Sequence, residues 1–308
     1  MEVGLLSIDV DVALLNKVAE LAQSAGELIM EVYQRDSGFT AYAKPDDSPL
    51  TEADLLAHRY LFDQLRVLTP EIPVLSEEGE LPEFKVRHQW SCYWLIDPLD
   101  GTKEFVSRNG EFTVNIALIA GHKPVLGVVY APALKTLYKA INNGSSIDGA
   151  FYADLNISDT ALCDLGEPIS VEPIENRIGQ RLPIRILTSR HHMKSSVKIL
   201  CDKIQSKFGF IEISAIGSSL KLCFVASGKA DLYPRLGPTS EWDTAAAQAI
   251  VEAAGGLVLD GDFKSLRYNL KDSVLNPDFY VFANKPSNEN QIFRQWQSVI
   301  RGFVKKCS

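Results

Sequence analysis

From Val12 to Tyr33 the apolar positions Val12, Leu15, Val18, Ala19, Ala22, Ile29 and Val32 recur at helical spacing, which predicts one long amphipathic helix. The stretch YAKPDDSPL that follows, with two prolines and a polar run, predicts a loop. A second helix is expected from Thr51, where Thr51 and Asp54 make a capping-box-like start ahead of Leu56, Tyr60, Leu61 and Leu65. The pattern then changes period. YWLID (93–97) is a short apolar run stopped by turn chemistry, and TVNIALIA (113–120), PVLGVVYA (124–131) and TLYKA (136–140) follow at short intervals, as in an antiparallel meander. Residues 142–182 are the least periodic part. Beyond them RILTS (185–189) predicts a strand, and helical patterns cover about 193–206, 218–228 and 243–254. The order of elements predicts α+β structure in the first half and α/β in the second, as two packed lobes of residues 1–140 and 141–308.

Composition narrows the function classes. With 308 residues, 46% of them hydrophobic and 23% charged, the chain has the profile of an ordinary globular protein. A net charge of −8, from 31 basic and 39 acidic residues, argues against a nucleic-acid polymer as partner, because such a footprint needs a basic stripe. A small phosphorylated ligand stays compatible, since local cations can reverse the field in one pocket. No run approaches the roughly 18 apolar residues of a membrane span. The opening MEVGLLSIDVDVALL lacks the basic start of a signal peptide. Cys92, Cys163, Cys201, Cys223 and Cys307 are odd in number and without CxxC spacing, so free thiols and a reducing, cytoplasmic setting are expected, with room for peripheral membrane association.

Acidic residues gather at the ends of elements in four places: Asp54 in TEAD, Glu77 and Glu78 in VLSEEG, Asp97 and Asp100 in WLIDPLDGT, and Asp243 in EWDTAAA. If they converge, two carboxylates about 5 Å apart repel by about 3 kcal/mol at an effective dielectric near 20. Hard divalent cations resolve such a crowd, and all-oxygen ligation favours Mg²⁺, Mn²⁺ or Ca²⁺ over zinc. Gly101 and Thr102 follow Asp100 and offer backbone amides suited to a phosphate. A plainer reading stands beside each: Glu77 and Glu78 as a solvated loop, Asp54 as a helix cap, Asp243 as an N-cap, Lys221 and Arg235 as surface charges. Asp97 and Asp100, in D-P-x-D-G-T, resist such a reading best.

LSEEG, WLIDPLDGTKEF and EWDTAAA, in this order and at these separations, resemble the signature segments of the inositol-monophosphatase superfamily. NGEFTVNIALI, GVVYAP and AIGSSLKLCFVASGKADLYPR are similar to its 3'(2'),5'-bisphosphate nucleotidases. The resemblance runs from about Val12 to Ala283. It implies a layered αβαβα sandwich and two or three Mg²⁺ ions, with Mn²⁺ as a substitute, held by Glu77, Asp97, the Leu99 carbonyl, Asp100 and Asp243. By the same resemblance Asp54 and Thr102, supported by Glu78, activate the attacking water, and Gly101 and Thr102 hold the scissile phosphate. Ser218, Lys221 and Arg235 would hold the uncleaved phosphate, Ser218 and Lys221 from one helix face. His191 and His192 in TSRHH read first as a surface turn, with a place near the base as the alternative the resemblance offers. The implied reaction hydrolyses adenosine 3',5'-bisphosphate to AMP and phosphate, a clearance step of sulfate assimilation, with inhibition by Li⁺. The alternatives are an inositol- or sugar-phosphate phosphatase and a non-catalytic metal-binding regulatory protein.

Overall fold

The computed structural model describes residues 9–36, 38–43, 49–157, 165–190, 195–284 and 291–307. The expected first helix is α1 (Val12–Tyr33), capped by Asp11, whose carboxylate accepts from the Leu14 amide at 2.8 Å. A small hairpin, β1 (Ala41–Ala43) and β2 (Pro49–Thr51), leads into α2 (Glu52–Leu68). Next come β3 (Val74–Ser76), the short α3 (Phe84–Arg87), β4 (Cys92–Asp100) and the five-residue α4 (Thr102–Val106). The meander follows as β5 (Thr113–Ala120), β6 (Lys123–Ala131), β7 (Thr136–Ile141), β8 (Gly149–Asp154) and β9 (Glu167–Ile169). These strands form one seven-stranded sheet in chain order from β3 to β9. The sheet therefore continues past residue 140, where a boundary between lobes was expected, and the weakly patterned 142–182 stretch supplies its last two strands.

The second half contributes α5 (Ile174–Gly179), β10 (Ile184–Ser189), α6 (Ser195–Phe208), β11 (Ile211–Ile216), α7 (Leu220–Ala226) and β12 (Leu232–Arg235). A 3-10 turn, Glu241–Asp243, precedes α8 (Ala245–Ala253), and β13 (Leu257–Asp260), β14 (Phe279–Phe282) and α9 (Gln291–Cys307) complete the chain. The second sheet has the order β11-β10-β12-β14-β13.

Three apolar cores set the layers. The first joins α1 and α2 to one face of the large sheet through Leu15, Val18, Ile29, Leu61, Ile96 and Ile116. The second fills the space between the sheets with α7 and α8, around Leu95, Val129, Cys223, Ile250 and Val281. The third packs α6 and α9 on the outer face of the small sheet, around Ile186, Leu200, Trp296 and Ile300. Helices, sheet, helices, sheet, helices: this is the expected αβαβα sandwich. The middle layer fits because its surfaces are small. A Cβ on Gly127 of β6 would lie 2.2 Å from the Ala246 carbonyl oxygen, so the alanine-rich α8 can lie on the sheet only over glycine.

Two local expectations are corrected. Ser218 is not on a helix; it lies before α7 with φ +44, so it and Lys221 do not share a helical face. Asp243 does not cap the following helix: it closes the 3-10 turn, where its Oδ2 accepts from the Ser240 amide at 2.9 Å, and α8 starts two residues later. His191, His192 and Cys163 lie outside the described residues. Cys92, Cys201 and Cys223 are free thiols. No described helix is long and apolar enough to cross a membrane.

Candidate active site

The site is built on the end of β4. Opposite β5, Asp97 pairs with Asn115 and Asp100 with Thr113, so three steps on β4 match two on β5. That is a bulge, with one extra residue at Pro98–Leu99. In a regular strand residues three apart face opposite sides. The extra residue lets Asp97 and Asp100 line the same cavity, one of about 250 Å³ that Glu77, Leu99, Gly101, Thr102, Ser218, Ser219, Lys221, Tyr233, Arg235 and Asp243 also border. Gly101 turns the chain at φ +92, and an added Cβ would lie 3.3 Å from the Glu111 carbonyl oxygen and from Ser218 Cβ, so glycine suits both the conformation and the space.

Glu77 enters from the turn after β3, which runs parallel to β4, and Asp243 from the 3-10 turn below α8. Glu77, Asp97 and Asp243 each offer a carboxylate oxygen, all within 4.8 Å of one another. Burial, then the charges of Glu77, Asp100 and Asp243, push Asp97 well above the usual carboxylate range. Burial, then Asp100 and Glu77, does the same to Asp243. Asp100 rises to about 6, chiefly through burial, with Lys221 and the Ser219 amide opposing. Three carboxylate oxygen donors this close together, with Asp97 buried, fit a hard cation such as Mg²⁺. Glu78 is half-buried next to Glu77 and does not line the cavity.

Asp54 serves two purposes at once. Its Oδ2 closes the capping box of α2, accepting from the Thr51 amide at 2.7 Å and the Thr51 hydroxyl at 2.5 Å. Its Oδ1 accepts from the Thr102 hydroxyl at 3.1 Å, and Thr102 borders the cavity. The cap and the candidate catalytic residue are therefore the same side chain, and the two readings of it do not compete.

The cationic residues behave differently from one another. Lys221 is buried, with Nζ donating to the Ser218 carbonyl at 2.5 Å and the Ile216 carbonyl at 3.2 Å. Burial lowers its pKa to about 8, with Asp100 opposing and Arg235 reinforcing the fall. It is thus not a surface charge. Arg235 is half-buried and donates to the Pro238 carbonyl at 2.6 Å. Tyr233, which the sequence reading did not single out, lies between them: its ring is 5.5 Å from Lys221 Nζ, and it borders both this cavity and an adjoining one of about 230 Å³. Asn115 and Ser219, bonded to Asp100, were also missed. For Asn115 a signal existed, a polar residue inside the apolar run TVNIALIA.

Fold and site define a phosphatase: the inositol monophosphatase family profile matches residues 11–300, and the chain belongs to that family. Its relatives include the 3'(2'),5'-bisphosphate nucleotidase CysQ of Salmonella typhimurium, 47% identical over 87% of this chain and 99% of that protein. CysQ of Escherichia coli (strain K12) is 44% identical over the same shares. Among solved structures, CysQ from Bacteroides thetaiotaomicron superposes with a TM-score of 0.75 at 38% identity, covering 90% of this chain and all of that one. The Thermotoga maritima IMPase shares the fold, with a TM-score of 0.70 at 23% identity over 96% of this chain and 100% of its own.

Proposed function

We propose that this chain is a Mg²⁺-dependent phosphomonoesterase that converts adenosine 3',5'-bisphosphate to AMP and phosphate. The observation that carries the reading is one cavity bordered both by the carboxylates Glu77, Asp97, Asp100 and Asp243 and by the cations Lys221 and Arg235. A monophosphate needs only the first set, whereas a bisphosphate uses both. The adjoining cavity, which shares Ser189, Tyr233 and Arg235, gives room for a nucleoside. The CysQ names of the relatives point the same way.

In this reading the four carboxylates and the Leu99 carbonyl hold the cations. Bound Mg²⁺ supplies Lewis acidity and neutralises the phosphate's charge. The Gly101 and Thr102 amides orient the scissile phosphate. Thr102 and Asp54 take the proton of the attacking water, the hydroxyl accepting as it passes its own proton to Asp54 Oδ1. Glu78 plays a supporting part from outside the cavity wall. Lys221 spends two of its three N–H donors on carbonyls, which leaves one for the uncleaved phosphate, beside Ser218 and Arg235. The test is phosphate release from adenosine 3',5'- and 2',5'-bisphosphate, inositol monophosphate and AMP, with and without Mg²⁺. Preference for inositol monophosphate would replace this reading with a general sugar-phosphate phosphatase, and absence of turnover on every substrate with a regulatory metal-binding protein.

A further inference from the structure

From the buried end of β5 a short polar chain leads through Ser219, at the edge of the cavity, and ends on Asp100. Asp100 Oδ2 accepts from the Ser219 amide at 2.5 Å and, at a longer 3.4 Å, from Asn115 Nδ2. The orientation of the Asn115 amide is fixed from its other end, because its Oδ1 accepts from the Ser219 hydroxyl at 2.8 Å. Ser219 has one hydroxyl proton, and that contact uses it. The 2.9 Å contact between the Thr113 and Ser219 hydroxyls is therefore donated by Thr113. Donation runs in one direction: Thr113 to Ser219, Ser219 to Asn115, Asn115 to Asp100. Thr113, Asn115 and Ser219 are all at most 1% exposed, so water does not compete for these bonds. Thr113 and Asn115 pair with Asp100 and Asp97 across the bulge, while Ser219 comes from the segment that opens α7.

We propose that Asn115 and Ser219 are positioning residues for the Asp100 carboxylate. By occupying Oδ2 with donors they leave Oδ1 for the cation. The Ser219 hydroxyl does so indirectly, by preventing the Asn115 amide from turning its carbonyl toward Asp100, where two acceptors would repel. The inference rests on the reading of Asp100 as a cation ligand. Partners of this kind typically change metal affinity ten- to a hundredfold when removed.

The experiment is a thermal melt of the full chain, without substrate, across a Mg²⁺ titration, for the wild type, Ser219→Ala, Ser219→Thr and Asn115→Leu. The wild type should be stabilised saturably. Ser219→Ala should need about ten- to a hundredfold more Mg²⁺ for half the shift, and Ser219→Thr, which keeps the hydroxyl, should match the wild type. Asn115→Leu should follow Ser219→Ala; if it does not fold, the alanine–threonine comparison decides alone. An unchanged Mg²⁺ midpoint in Ser219→Ala overturns the proposal, as does an equal loss in Ser219→Thr, which would mean that bulk and not the hydroxyl matters. A wild type indifferent to Mg²⁺ overturns the metal reading itself, a result distinct from the other two.

Discussion

The Thr102 hydroxyl donates to Asp54 Oδ1 at 3.1 Å while Thr51 holds the other oxygen of the same carboxylate. Asp54 thus cannot rotate without breaking the start of α2, and the Thr102 oxygen is left with its lone pairs free to accept from a water in the cavity. Helix capping supplies the rigidity that a proton acceptor needs.

Thr102→Ala should lower kcat by about 10²–10⁴, the usual worth of a positioned acid–base group, and change KM by only a few-fold. Steady-state kinetics at saturating Mg²⁺ give the split. A raised KM with normal kcat would make Thr102 a phosphate contact and place the base elsewhere.

Asp97→Asn should abolish most turnover and leave the metal-free protein as stable as the wild type or more so. The reason is that Asp97 is buried among the like charges of Glu77, Asp100 and Asp243. Removing one charge relieves repulsion while weakening cation binding. Melting temperatures with and without Mg²⁺, together with kcat, check both halves, and near-normal turnover at saturating Mg²⁺ would remove Asp97 from the ligand set.

Much of this was legible along the chain, and the parts that were not share a cause. The 3.6-residue period gives α1 to the residue, and the Thr51–Asp54 spacing gives the capping box of α2. The Asp97–Asp100 pair stands out because proline and glycine flank it. Ser218 falls inside an apparently helical pattern, but its φ of +44, just after Gly217, delays the start of α7 to Leu220. GAFYAD becomes β8 by pairing with β7 and β9, and it has no strong period of its own. The contact of Ser219 with Asp100 spans 119 positions, so no local pattern encodes it. Local rules find elements and candidate ligands; long-range contacts such as Ser219 with Asp100 appear only once the chain is folded.

Without divalent cations, the stability of the protein should fall as pH rises. Asp100 is raised from an ordinary 3.8 to about 6, so its stabilising contribution is complete below about 3.8 and is lost as pH rises through about 6. Asp97 and Asp243 are raised in the same direction. Melting curves between pH 4 and 8 should show this slope in the wild type, less of it in Asp100→Asn, and least in the wild type with saturating Mg²⁺. An equal slope in all three would mean that groups outside the site set it.

Li⁺ should inhibit, and not simply by competing with substrate. Glu77, Asp97 and Asp243 provide a crowded oxygen site where a small monovalent ion could displace a weakly held Mg²⁺. Initial rates over a matrix of Li⁺, Mg²⁺ and substrate distinguish the patterns. Full activity at tens of millimolar Li⁺, an order-of-magnitude choice for a weak hard-cation site, would speak against this site arrangement.

Arg235 and Lys221 should separate when each is changed to alanine. Arg235 is half-buried, donates to the Pro238 carbonyl, and borders the cavity offered to a nucleoside. Lys221 is buried, ties together the Ile216 and Ser218 carbonyls, and acts electrostatically on Asp100. A charge-assisted contact contributes about 1.5–3 kcal/mol, and each 1.4 kcal/mol is a factor of ten. Arg235→Ala should therefore lower kcat/KM for adenosine 3',5'-bisphosphate about ten- to a hundredfold while a monophosphate substrate loses little. Lys221→Ala should lower both, because it also removes the positive charge beside Asp100 and loosens the segment carrying Ser219. The two variants, assayed on a bisphosphate and a monophosphate with melting temperatures alongside, give a four-way comparison. Equal losses for Arg235→Ala on both substrates would mean that this arginine supports the fold or the scissile phosphate, and the preference for bisphosphorylated nucleotides would have to come from elsewhere in the cavity.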